Sequence, residues 1–116
     1  INGWEALKNK EKGRRTLADE LDTVPATLPA LMRAQKLQKR AAGYGVGPAN
    51  EAEAAAALRT AEMAWEQRTA ETVQQAAGEL LFATVDSMRL AGVDAEEALT
   101  FAAKRFAEAA KHQSNG

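Results

Sequence analysis

The sequence predicts an all-α domain, a bundle of about four helices. Apolar residues recur every three or four positions along most of the chain, which is the period of an α-helix. Polar side chains that cap helices precede two of these stretches, and glycines follow two of them. No segment shows the alternation of polar and apolar residues that is typical of a strand.

Residues 1–16 form a basic N-terminal arm whose strong apolar residues are Trp4 and Leu7. The composition of this arm favours a flexible linker, unless Trp4 docks on the rest of the chain. A short helix is expected from residue 17, and Pro25 would end it. The helical domain is expected to span residues 17–110, followed by a polar, frayed tail at 111–116.

The first long helix is expected over residues 28–42. Thr27 is its expected N-cap, Pro29 lies in its first turn, and Gly43 ends it. Its apolar face consists of Leu28, Leu31, Met32 and Leu37. The glycine-rich residues 43–48 that follow lack the lysine and the flanking strand of a phosphate-binding loop, so they predict a turn.

A second helix is expected after Asn50, which forms the pattern of a capping box with Glu53. Its apolar stripe is Ala54, Ala57, Leu58, Ala61 and Trp65. A third helix continues to Gly92 with the clearest apolar face of the chain, which comprises Val73, Ala76, Ala77, Leu80, Leu81, Thr84, Val85 and Met88. Nothing between residues 51 and 77 breaks a helix, so one bent helix or two separate helices are both possible.

The last helix is expected after Asp94, which repeats the capping-box pattern with Glu97. Its apolar residues are Leu99, Ala102, Phe106 and Ala109. Hydrophobic residues make up 46% of the 116 residues, but alanine supplies much of that share and aromatic residues account for 5%. One domain of this composition has a thin core, so we expect a second copy of the chain to cover it.

The composition also excludes several classes of function. A net charge of −1 argues against a bulk electrostatic nucleic-acid binder. The chain has 0 Cys, which excludes disulfides and thiolate metal sites and suits the cytoplasm. No signal peptide and no apolar run near the roughly 18 residues of a membrane span are visible. Because the chain begins with Ile1 rather than Met, we expect a fragment of a longer protein.

Two separated runs carry a resemblance to a known family. They are Leu28-Pro29-Ala30-Leu31 and Gly78-Glu79-Leu80-Leu81-Phe82-Ala83-Thr84-Val85, and Asn2-Gly3-Trp4-Glu5 precedes them. In these runs the chain resembles the MazG family of nucleoside triphosphate pyrophosphohydrolases. The resemblance implies a four-helix bundle built by dimerisation. It also implies magnesium ions, held by Glu-Glu-x-x-Glu and Glu-x-x-Asp motifs, that activate water and clamp the triphosphate.

The resemblance places the acids of the family on mostly neutral residues here. Aligned from Gly45, the first motif falls on Thr60, Ala61 and Ala64, with an uncertainty of a few positions because the tract is short. The second motif falls on Ala76 and Glu79, so Glu79 alone keeps a carboxylate. Asp86 stands where the family usually has Asn.

The spacing of the other acids in the sequence does not restore the metal site that the resemblance implies. Glu62 and Glu66 lie one turn apart, but at about 100° per residue they point away from the face of residues 60, 61 and 64. Glu79 is expected to pair with a Lys or Arg of a neighbouring helix. A surface acid and a remaining metal ligand are its alternatives.

Arg33, Lys36, Lys39 and Arg40 form a basic stripe near the C-terminal end of the first long helix. A solvated face is the favoured interpretation, since cations there also suit the helix dipole. A phosphate-facing patch made by Arg33, Lys36 and Arg40 is the alternative. No aromatic residue interleaves with the stripe, so base stacking is unsupported.

The sequence therefore suggests a non-catalytic MazG-like domain that needs no cofactor of its own, in a parent enzyme that uses magnesium. Its expected partners are a second copy and the catalytic MazG half of the same protein. An active pyrophosphohydrolase with an unrecognised carboxylate set is the alternative. A module that binds RNA or protein is a weaker alternative.

Overall fold

The computed structural model describes residues 16–115, and five α-helices account for most of them. They are α1 (Leu17–Asp22), α2 (Ala30–Ala42), α3 (Glu51–Glu66), α4 (Val73–Leu90) and α5 (Ala95–Asn115). The described residues contain no strand, and the predicted all-α fold is confirmed. None of these helices has the length and apolarity that a membrane span requires. The predicted basic arm, Trp4 included, lies outside the described residues except for Thr16.

Helix α4 is the centre of the domain. It packs against α3, α2 and α5, and α1 packs against α2. Among the described helices, α3 contacts α4 alone. Helix α3 is therefore connected to the other helices through α4.

The start of α2 differs from the sequence prediction. The helix begins at Ala30, and Pro29 is its N-cap with φ −53° and ψ 143°, so neither Thr27 nor Leu28 takes the expected role. The residue before a proline is driven out of the α region by the proline ring, which explains why Leu28 stays outside the helix.

The end of α2 also differs in detail. Gly43 keeps a right-handed conformation with φ −63°, and the left-handed residue is Gly45 with φ 77°. The N–H of Val46 donates to the carbonyl oxygen of Ala41 at 3.0 Å, and that of Gly45 donates to Ala42 at 3.0 Å. This pair of bonds is a Schellman motif, which reverses the chain after the helix.

Helices α3 and α4 are separate, which settles the question that the sequence leaves open. Residues 67–72 connect them without Gly or Pro. The Thr72 hydroxyl accepts a hydrogen bond from the N–H of Thr69 at 2.9 Å, and the N–H of Thr72 donates to the Thr69 carbonyl at 3.1 Å. Such local bonds compete with the helix ladder, so threonine hydroxyls make this turn.

The expected caps of α3 and α5 form. Asn50 Oδ1 accepts from the N–H of Glu53 at 2.9 Å, and Asp94 Oδ1 accepts from the N–H of Glu97 at 2.9 Å. Gly92, with φ 78°, ends the turn after α4 as predicted. Helix α5 runs past residue 110, where the sequence predicts its end.

The core of the described chain is thin, as the composition predicts. The buried apolar residues are Val24, Ala54, Ala61, Ala76, Val85 and Ala95. Each alanine removes little apolar area from water, so this core contributes less than one built from Leu or Phe. Large apolar side chains lie instead at the surface of α4 and α5.

Candidate functional site

A groove of about 540 Å³ lies between α3 and α4. Its α3 wall carries Thr60, Ala61 and Ala64, and its α4 wall carries Glu79 and Asp86. A smaller adjoining groove of about 260 Å³ shares Ala64 and Glu79 and adds Ala76. All five positions that the resemblance assigns to the acids of the family therefore line one continuous surface, which we call the α3/α4 groove.

Helix geometry explains why these positions meet. Residues 60, 61 and 64 lie within one turn of α3 on one face, and residues 76 and 79 are one turn apart on α4. The short connection at 67–72 folds α4 back along α3, so these faces oppose each other. The alignment that starts at Gly45 thus selects residues that share a site.

Glu79 is an exposed acid in this groove. Its Oε2 accepts a hydrogen bond from Gln75 Nε2, one turn earlier on α4, at 2.9 Å. The expected ion pair with a Lys or Arg is not seen among residues 16–115, where Glu79 has the exposed position of a surface acid, one of its alternatives. The reason is geometric, because α3 faces Glu79 with alanine and threonine.

Asp86 is the second acid of the groove, and it is 7% exposed. Its Oδ1 accepts a hydrogen bond from Arg89 Nε at 2.7 Å, and Arg89 also donates to the carbonyl oxygen of Pro48 at 3.3 Å. The ion pair is itself largely buried, which makes it a structural link between α4 and the loop before α3. Sequence reasoning noted the unusual Asp86 but not its partner.

The residues of the groove do not fit a magnesium site. Magnesium prefers several oxygen ligands in octahedral geometry, supplied by carboxylates, waters and phosphates. Here one carboxylate is exposed, the other is held by Arg89, and the remaining predicted positions are neutral. Within residues 16–115, no three His, Cys, Asp or Glu side chains cluster closely enough to hold a metal ion.

Glu62 and Glu66 stay outside the α3/α4 groove, as their angular position predicts. Both side chains are exposed, and neither lines the groove. They do not replace the missing acids.

The basic stripe of α2 is also separate from this groove, which none of its side chains line. Arg40 donates to Glu20 Oε2 at 3.0 Å and to Thr23 Oγ1 at 2.7 Å, so it joins α2 to α1. Lys36 lies exposed beside Asp94, away from α3. Arg33 is half-buried, and a phosphate-facing role for these bases stays a prediction.

Two glutamines of α2 have structural roles that the sequence analysis did not assign. Gln35 bridges to the turn before α5, and Gln38 is buried and donates to the carbonyl oxygen of Phe82 at 2.9 Å. They lie four and seven residues after Leu31, which places both near the apolar face of α2. The sequence signal for these structural roles was the position of polar side chains within the apolar stripe of α2.

Comparison with known proteins identifies relatives that match this chain over part of their own length. No family model matches the chain. The chain is 38% identical over 112 residues to the nucleoside triphosphate pyrophosphohydrolase of Escherichia coli strain K12, and equally to that of Escherichia coli O157:H7. Each match covers 89% of this chain and 41% of the relative, so the chain spans less than half the length of these relatives. The chain is therefore a homologue of part of the MazG nucleoside triphosphate pyrophosphohydrolase.

Proposed function

We propose that the chain is a non-catalytic MazG-like domain, which dimerises and supports the catalytic half of a longer protein. The single observation that carries this proposal is the α3/α4 groove, where four of the five expected acids are neutral side chains. The relatives are nucleoside triphosphate pyrophosphohydrolases. The parent protein would hydrolyse nucleoside triphosphates to monophosphates and pyrophosphate in the cytoplasm, with magnesium bound in its other half.

The electrostatics of the groove support this proposal. Hydrolysis of a triphosphate needs cations or donors that offset the charge developing on its oxygens. The α3/α4 groove presents the carboxylate of Glu79 and, apart from the paired Asp86, uncharged side chains. A bare triphosphate would meet negative charge there, so the groove neither binds nor activates it.

An exposed apolar face supports dimerisation. A groove of about 310 Å³ between α2, α4 and α5 is lined almost wholly by apolar side chains. Two of them are largely exposed: Leu81 on α4 is 61% accessible and Leu99 on α5 is 56% accessible. We call this surface the α4/α5 face, and we assign it to a second copy of the chain.

The oligomeric state tests this part of the proposal. We expect the chain to be a dimer by light scattering at tens of micromolar. Leu99→Glu should convert it to a monomer, because a charge on the α4/α5 face is costly to bury. Phe101→Glu is the matched control, since Phe101 is also exposed but lies about 200° around α5 from Leu99. A wild-type chain that is monomeric at this concentration would refute dimerisation.

The catalytic part of the proposal is tested separately. Calorimetric titration should detect no magnesium binding in the millimolar range, and a pyrophosphate-release assay should detect no turnover. The Escherichia coli relative provides the positive control. Magnesium binding together with pyrophosphate release would establish the alternative, an active enzyme with a different carboxylate set.

Support of the catalytic half is tested in the full-length parent protein. Deleting the segment that corresponds to this chain should weaken oligomerisation or pyrophosphohydrolase activity. Unchanged assembly and unchanged turnover would rule out the supporting role.

A further inference from the structure

Helix α5 lies mostly at the surface of the chain. Its first residue, Ala95, is buried, whereas every side chain from residue 97 to residue 114 is exposed. On α5, the α4/α5 face ends at Ala102, the last of its lining residues. Packing supplies most of the stability of a helix, and a helical segment of about 12 residues is marginal alone in water. Residues 103–114 therefore require a surface that the described chain does not provide.

The exposed half of α5 continues the α4/α5 face. Phe106 and Ala109 lie four and seven residues after Ala102, which places both within about 40° of it around the helix axis. Leu99 lies on the same side, so one apolar stripe runs from the domain into the exposed half of α5. Phe106 is 74% accessible, more than any other large apolar side chain of the described residues.

We propose that α5 packs antiparallel against α5 of a second copy, so that Phe106 of each copy fills the α4/α5 face of the other. This inference rests on the proposed dimerisation and adds its geometry. The groove of about 310 Å³ has room for the ring, since a dry cavity of roughly 150 Å³ holds benzene. A two-fold axis presents the groove and the ring twice, so one arrangement covers both copies.

The charges of α5 favour the antiparallel arrangement. Its first turn carries two acids, Glu96 and Glu97. Its second half carries three bases and one acid: Lys104, Arg105, Lys111 and Glu108. Antiparallel packing places the acidic end of one helix beside the basic end of the other, whereas parallel packing would place ends of like charge together. The dipoles of the two helices also oppose each other when the helices are antiparallel.

NMR on a mixture of ¹³C-labelled and unlabelled chains tests the geometry directly. We expect intermolecular NOEs from the ring of Phe106 to the methyl groups of the partner's Leu99 and the partner's Leu81. A parallel pair would instead place Phe106 beside the partner's Phe106. A dimer without NOEs from Phe106 to the partner's leucines would overturn the inference, and the stripe would then be left to another occupant, such as the catalytic half.

A matched pair of variants measures how much Phe106 contributes. Phe106→Ala should raise the dissociation constant of the dimer by at least about tenfold, measured by analytical ultracentrifugation, because a buried aromatic anchor is lost. Phe101→Ala is the control, since Phe101 is 65% accessible and lies about 140° around α5 from Phe106. It should change the dissociation constant by less than about twofold, and equal effects of the two variants would overturn the inference.

The outcomes separate this inference from the proposed dimerisation. A wild-type chain that is monomeric at tens of micromolar would refute both. A wild-type dimer that Phe106→Ala leaves equally tight would refute the antiparallel packing alone. Circular dichroism checks that the variants fold, and alanine is a better helix former than phenylalanine, so a loss of α5 would not explain a weaker dimer.

Discussion

The side chain of Gln35 caps the first turn of α5 through Ala95. Its Oε1 accepts a hydrogen bond from the N–H of Ala95 at 2.8 Å, and its Nε2 donates to the carbonyl oxygen of Val93 at 2.7 Å. Both partners are backbone groups about 60 residues away in sequence, on either side of Asp94. One amide thus fixes the turn between α4 and α5 to the middle of α2.

Replacing Gln35 by Ala should therefore destabilise the chain. The part-buried N–H of Ala95 would lose its acceptor, whereas the exposed carbonyl of Val93 can bind water, so the free energy of unfolding should fall by about 0.5–1.5 kcal/mol. Urea denaturation at a fixed protein concentration measures the change, since a dimer makes stability depend on concentration. Lys39→Ala, one turn later and exposed, is the control and should change stability by less than about 0.5 kcal/mol. Equal effects of both variants would contradict the bridging role.

The buried ion pair of Asp86 and Arg89 gives a second prediction. Asp86→Asn leaves the guanidinium of Arg89 largely buried without its counter-charge. This change should lower the free energy of unfolding by about 3 kcal/mol. Replacing Asp86 by Leu and Arg89 by Met together should cost less than the two single changes combined. A double-mutant cycle measured by denaturation should give a coupling of about 1–3 kcal/mol.

The pair of Arg40 and Glu20 is the comparison for that cycle. Its side chains are 39% and 28% exposed, and they lie 3.0 Å apart. Solvent screens such a pair, so its coupling should be below about 1 kcal/mol. A larger coupling here than between Asp86 and Arg89 would show that burial does not set the strength of these pairs.

Two glycines should respond to the same substitution with opposite signs. Gly92 has φ 78°, which an alanine adopts at a cost of about 1–2 kcal/mol. Gly78 lies inside α4, and an added Cβ there would meet nothing within 4 Å. Gly78→Ala should therefore stabilise the chain by about 0.5–1 kcal/mol. Thermal unfolding should show a lower Tm for Gly92→Ala and a higher Tm for Gly78→Ala, and a fall in both would contradict the prediction.

Restoring the acids of the family tests whether the backbone of the α3/α4 groove is still suitable. A variant with Glu at positions 60, 61, 64 and 76 should be less stable without metal, because residues 61 and 76 are buried. Magnesium should then raise its Tm, since a ligand bound to the folded state stabilises it. The wild-type chain, titrated in parallel, should show no such shift. If magnesium does not change the Tm of this variant, the backbone of the α3/α4 groove is not suitable for a magnesium site.

Helical periodicity and caps were enough to predict where the long helices lie, but not whether α3 and α4 are separate. The resemblance predicted which residues of α3 and α4 share a groove. What the sequence did not reveal are contacts between distant residues. Gln35 and Gln38 look like ordinary polar positions until α2 is packed against α4 and the turn before α5. Similarly, the sequence places Arg40 in a basic stripe, but α1 and its C-cap bring Glu20 and Thr23 to it. The break at Thr69 and Thr72 was open because threonine does not by itself end a helix.

The six residues between α3 and α4 also affect the order of folding. Contacts across this hairpin close a short loop, whose entropic cost is small and whose formation is fast. The bonds that attach α2 to α4 and to the turn before α5 join residues 44 to 60 positions apart. We therefore expect α3 and α4 to pair first and to provide the surface on which α2 and α5 later pack. The α3/α4 groove would then lie within the folding nucleus of the domain.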